Sequence, residues 1–233
     1  MERLKIYATD EGFIVYRILE EIAEIYELPL CVKPERELSP EVDVVLVPHL
    51  KGEERAFLSS AGERVKVVTT DCGKLPNCKG VKGDYVVEAL KAILEDYAPH
   101  LVEKLKGYRS PRWDGEILSR LGKKLRFYLP LGVSDSGAVL DLWRYYLGRK
   151  GFPFSGYLSP FEEEAVLNIL TNTAFSDKVF PLILGKVEEG FPEGVKLRGF
   201  VPFVVKSQQE DFLHRVLDHL SLVREVVKEL KRI

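Results

Sequence analysis

Residues 44–55 read VVLVPHLKGEER, and the fold turns on how they are read. An unbroken apolar run belongs to a strand buried on both faces, as in a parallel sheet; a strand with one wet face would alternate. Pro48 and Gly52 break the run into a turn. Glu53 and Glu54 then open a helix, where acids suit the positive end of the dipole. The stretch is therefore one strand–turn–helix unit.

Working outward, the same rhythm repeats. Residues 4–8 are apolar and β-prone, and Thr9-Asp10-Glu11-Gly12 follows as a capping turn. Phe13, Val15, Ile18, Leu19, Ile22, Ile25 and Tyr26 recur at helical spacing. Short strands are expected at residues 30–33, 42–47 and 65–69, with a helix over 53–61 and a loop over 71–83. A long helix is expected over 85–105, interrupted near Pro99. The polar stretch GYRSPRWD, residues 107–114, reads as a linker. Beyond it the pattern restarts, with helices at 115–121, 138–147, 162–174 and 209–232 and strands at 125–129, 180–184 and 201–205. Strand–helix alternation requires crossovers on both faces, so the fold class is α/β, in two Rossmann-like, parallel-sheet α/β/α domains. Their bounds are 1–108 and 115–233, with a closing helix that could reach back onto the first. The similar rhythm suggests an internal duplication.

Composition excludes several functions. The 34 basic and 36 acidic side chains nearly cancel, which gives no field for nucleic acid or an anionic membrane. No run of about 18 apolar residues offers a membrane span, and MERLKIYAT enters a strand without the apolar stretch of a signal peptide. A cytoplasmic protein is expected. Cys31, Cys72 and Cys78 do not make a disulfide framework, and the favoured reading is free thiols in a reducing compartment. No His lies near enough to them to suggest zinc. One Met, few Gln and many Glu and Lys suit a thermophile.

Several strings then carry a family resemblance: KIYATDEGFIVYRIL, LPLCVKPERELSPEVDVVLV, VKVVTTDCGKL, GEILSRLGKKLRFYLP, LDLWRYYLGRKG and the closing VKELKRI. In their order and local composition they resemble the bifunctional phosphoglucose/phosphomannose isomerases, built from two sugar isomerase (SIS) domains. The resemblance implies aldose–ketose isomerisation of a phosphosugar, needing neither metal nor other cofactor, in a homodimer. A carboxylate would move a proton between C1 and C2 while His and Lys assist. It places Thr70 on a strand-end threonine, Arg144 on a family arginine and Lys231 on the catalytic lysine.

The motifs also depart from the family. Its serine-rich phosphate loop becomes His49-Leu50-Lys51-Gly52-Glu53-Glu54, keeping only the glycine, and its catalytic glutamate falls on Gly151, which cannot act as a base. Its histidine has no counterpart in the segment SPFEEEAVLNI, residues 159–169. A catalytically degenerate protein that binds a sugar phosphate or a protein partner is therefore the alternative function.

Outside the resemblance, Ser134-Asp135-Ser136-Gly137 sits between strand and helix. Ser134, Ser136 and the N–H of Gly137 could cradle a phosphate; the bland reading is a helix cap. His49 ends an apolar strand on the side where α/β sheets place ligands, and is a candidate for ring opening or proton transfer. Glu163 is the candidate base by elimination, although acids in a first helical turn need no catalytic explanation. Lys231 reads equally as a solvated helix end.

Overall fold

A computed structural model of the chain describes residues 2–172, 174, 176–205, 207 and 209–232. It divides into two compact units, Met1–Tyr108 and Arg109–Ile233.

Unit 1 comprises β1 (Glu2–Ala8), α1 (Glu11–Ile25), β2 (Leu30–Glu35), β3 (Val44–Leu46), α2 (Gly52–Ala61), β4 (Lys66–Thr69), β5 (Cys78–Gly80), α3 (Tyr85–Tyr97) and α4 (Pro99–Gly107). All strands run parallel in the order β2-β1-β3-β4-β5. Every residue of β3 is buried, as its unbroken apolar run requires. Leu58 of α2 joins Val42, Val45, Val47, Val65 and Val67 in one apolar cluster. The apolar face of α1, with Ile14, Ile18, Leu19 and Ile22, is fully buried. Gly12 makes the close approach of α1 possible. A Cβ there would lie 1.8 Å from the Leu46 carbonyl oxygen.

Unit 2 comprises α5 (Gly115–Phe127), β6 (Leu129–Ser134), α6 (Gly137–Gly148), β7 (Ser155–Leu158), α7 (Glu163–Thr171), β8 (Val179–Ile183), α8 (Phe191–Leu197), β9 (Phe203–Val204) and α9 (Phe212–Arg232). Its sheet is again wholly parallel, ordered β7-β6-β8-β9. The strand order of unit 1 is thus repeated through four strands. Leu131, Val133, Val179 and Ile183 meet Val166 and Leu170 of α7 and Phe191 and Val195 of α8. The closing helix α9 packs on α5 and α6.

The α/β class with two parallel-sheet layers stands as read from the sequence, and several local expectations are corrected. Residues 125–127 end α5, and the strand begins at Leu129. The helix wins because Leu121 and Leu125 share its buried face while Phe127 stays 76% exposed. The loop over 71–83 contains β5. Pro99, lacking an N–H, divides the long helix into α3 and α4. Strand β7 and helix α8 are additions to the elements expected from the sequence. The last strand shortens to two residues, α9 starts at Phe212, and Thr173 of the helix expected over 162–174 lies outside the described residues. Cys72 and Cys78 form a disulfide and only Cys31 is a free thiol, which overturns the free-thiol reading. The turn after β4 returns the chain to pair β5 with β4, and so brings the two Cα atoms to 5.7 Å.

Candidate ligand cleft at the sheet switch point of unit 2

In a doubly wound sheet ligands lie beyond the carboxyl ends of the strands, where the strand order reverses. In unit 2 that point falls between β6 and β8. A cleft of about 1020 Å³ opens there. Ser134, Asp135 and Ser136 line it from the end of β6, Gly185 and Lys186 from the end of β8, and Arg215 and His219 from α9.

The β6–α6 loop is built by its own hydroxyls. Ser134 is fully buried, and its Oγ accepts the Ser136 N–H at 3.2 Å. Ser136 caps α6, its Oγ accepting the Val139 N–H at 3.1 Å. Asp135 turns across to β8 and α9. Its Oδ1 accepts the Lys186 N–H at 2.9 Å, and Arg215 Nη1 donates to its Oδ2 at 3.1 Å. Gly185 leaves room for this crossing, since a Cβ there would lie 2.3 Å from Asp135 Oδ1 and 2.7 Å from Ser134 Oγ. The Nε of Arg215 is buried without a hydrogen-bond partner.

His219 is wholly buried beneath the cleft. Burial and the nearby Arg215 guanidinium push its pKa down to about 4, opposed by Asp135 and a hydrogen bond to the backbone of Leu184. It is therefore neutral at pH 7. The Trp143 indole N–H, which can only donate, lies 3.4 Å from its Nδ1. The ring proton then sits on Nε2, and Nδ1, which carries the ring's basic lone pair, is taken up by the indole.

The sequence-derived candidates divide between several places. Ser134, Ser136 and Gly137 form one loop, as read. Glu163 is buried beside it: its Oε1 accepts from the Ser159 hydroxyl and the Glu188 N–H, and the Ser159 N–H bonds the Ser134 carbonyl. It does not line the cleft. Arg144 is on the exposed side of α6, paired with Asp141. Lys231 is exposed on α9, 12 residues beyond His219, or roughly 18 Å along the axis. Neither reaches the cleft. Gly151 has φ +77°, so a glutamate would be strained at the position where the family carries its base.

In unit 1, His49 and Thr70 are brought together at the ends of β3 and β4. The Thr70 hydroxyl donates to the Pro48 carbonyl at 2.6 Å and lies 3.2 Å from His49 Nδ1. The neighbouring helix start is filled by its own acid: Glu54 accepts the Lys51 N–H at 2.7 Å and the Tyr7 hydroxyl at 3.2 Å. Among the described residues no group of three or more His, Cys, Asp or Glu side chains is placed to hold a metal ion, and no helix is long and apolar enough to cross a membrane.

Arg215, Lys186 and Gly185 went unread. Arg215 stands in a 21-residue amphipathic helix, where its position resembles a solvated face. The Gly185-Lys186 pair directly after an apolar strand was the available signal.

No protein-family model matches the chain, and no curated protein matches it. Solved structures do match it. A protein from Silicibacter pomeroyi described as a candidate phosphosugar isomerase is 16% identical, with a TM-score of 0.56 over 98% of this chain and 85% of that one. The C-terminal domain of glucosamine-fructose-6-phosphate aminotransferase from Francisella tularensis is 11% identical, with a TM-score of 0.54 over 99% and 85%. Tagatose-6-phosphate ketose/aldose isomerase from Escherichia coli is 9% identical, with a TM-score of 0.52 over 99% and 82%. At these identities the likeness is one of fold, shared with phosphosugar isomerase structures.

Proposed function

We propose that this protein binds a sugar phosphate in the unit-2 cleft, as a relative of phosphosugar isomerases in which that cleft serves binding rather than proton transfer. One observation carries the reading. The cleft joins hydroxyls and cations suited to a phosphate, Ser134, Ser136, Lys186 and Arg215, to two titratable groups, Asp135 and His219, that are committed elsewhere. Asp135 is held by the Lys186 N–H and Arg215, and the lone pair on His219 Nδ1 faces the Trp143 indole N–H. A base that must take a proton from C1 or C2 needs a lone pair aimed at the bound sugar; the Asp135 carboxylate is turned instead toward Lys186 and Arg215, and His219 lies buried beneath the cleft.

The test is thermal melting with glucose, mannose and fructose 6-phosphates, alongside an assay for their interconversion. A ligand at 100 times its Kd adds about 2.7 kcal/mol of stability. Stabilisation without turnover supports binding; absence of any stabilisation removes the reading.

A second reading, aldose–ketose isomerisation, is favoured by Glu210. This exposed residue contributes a carboxylate to the cleft lining. Interconversion lost in Glu210→Gln would establish it.

A further inference from the structure

A hexose phosphate is small, and every carbon of it carries oxygen. The cleft is neither small nor uniformly polar. At about 1020 Å³ it lies at the upper end of the range that holds a drug-sized ligand. Its polar groups lie after β6 and β8 and on α9, and also on α8 (Lys196) and in the segment before α9 (Ser207, Gln209 and Glu210). The remaining wall is apolar, with Val187, Pro192, Pro202, Val204, Phe212 and Val216. Val204 is 43% exposed. A free sugar phosphate would satisfy the polar groups and leave these apolar side chains in water.

Resting on the binding function proposed above, we infer that the ligand is a phosphorylated sugar carrying an apolar aglycone, an aryl or alkyl phosphoglycoside. Its phosphate meets Ser134, Ser136, Lys186 and Arg215, and its aglycone covers Val187, Val204 and Phe212. The chemistry of such a ligand agrees with that of the cleft. A glycoside is a locked acetal at C1, so it has no open-chain aldehyde to isomerise, and the committed state of Asp135 and His219 costs it nothing. Apolar area removed from water then supplies affinity that a free sugar cannot obtain.

The experiment is isothermal titration of the full chain with three probes: glucose 6-phosphate, p-nitrophenyl glucoside 6-phosphate and unphosphorylated p-nitrophenyl glucoside. The aryl phosphoglucoside is expected to bind at least tenfold more tightly than glucose 6-phosphate, which is about 1.4 kcal/mol. The unphosphorylated glycoside should bind weakly. Val204→Ser, at an exposed position that tolerates a polar side chain, should shrink the ratio while leaving glucose 6-phosphate unaffected. Equal affinities for the two phosphorylated probes would overturn the aglycone and leave sugar-phosphate binding standing. Failure of both phosphorylated probes to bind would overturn the two together.

Discussion

Arg215 of α9 holds Asp135 of the β6–α6 loop from 80 positions away, its Nη1 3.1 Å from Oδ2. The pair is part-exposed, the two side chains being 18% and 27% accessible, so its electrostatic contribution to stability is screened and stays near 1 kcal/mol. Its effect on ligand binding is larger. Arg215→Gln removes a cation from the cleft and should weaken inorganic phosphate binding at least tenfold in titration calorimetry. Asp135→Asn removes an anion and should strengthen it. Unchanged affinity in both variants would show that phosphate does not use this end of the cleft.

Gly185→Ala asks for a methyl group 2.3 Å from Asp135 Oδ1. The loop must shift and give up the Lys186 and Arg215 bonds to Asp135, a cost of about 1–3 kcal/mol for overpacking. Gly148→Ala in α6 is the control, because nothing lies within 4 Å of a Cβ there and helix propensity favours alanine. Urea denaturation should separate the two variants in opposite directions.

His219 should make stability depend on acid. Its folded pKa of about 4 lies below the ordinary 6.5, so between these values the unfolded chain binds a proton that the folded chain refuses. Stability is complete above pH 6.5 and is lost as pH falls toward 4, by roughly 3 kcal/mol at 1.36 kcal/mol per unit. The charged groups facing it are Arg215, which sharpens the effect, and Asp135, which opposes it. Melts of the wild type and His219→Asn across this window test the assignment. An equal slope in the variant would place the acid sensitivity elsewhere.

How much of this could be read beforehand depended on whether a segment's signal is local. Residues 44–47 announce a buried parallel strand because burial on both faces demands an apolar run, and β3 is buried throughout. Residues 129–134, LPLGVS, conceal theirs: Pro and Gly weaken the strand signal, and the amphipathic helix before them ends in an apolar Phe127 that imitates a strand start. The Ser134-Asp135-Ser136-Gly137 loop was legible because its residues are contiguous. Its partner Arg215 was not, since sequence spacing does not state which helix face meets which loop. Lys231 and Arg144 stand out in the sequence only through the family strings, and helix geometry puts both away from the cleft.

Ser136→Ala should cost about 1 kcal/mol by leaving the Val139 N–H at the start of α6 without its cap. Ser136→Asp keeps a capping acceptor, so it should retain stability while repelling phosphate. A cap alone predicts that affinity follows stability in both variants. A phosphate contact predicts that the aspartate variant stays stable and fails to bind, which combined melting and titration would reveal.

The Cys72–Cys78 bond closes a loop of sequence separation 6 between β4 and β5. Chain-entropy reasoning gives about 2 kcal/mol for so short a closure. Asp71 immediately precedes Cys72, and its carbonyl and carboxylate accept from Arg55 Nη2 at 2.9 and 3.1 Å, so reduction should loosen the junction of α2 with β4. Thiol titration in denaturant should find one reactive cysteine, Cys31, before reduction and three afterwards. Reduced wild type and the Cys72→Ser/Cys78→Ser variant should then melt alike, both below the oxidised protein. Three reactive thiols at the outset would restore the reading of free cysteines, and β5 would have to be held by its Val67, Val68 and Thr69 pairings alone.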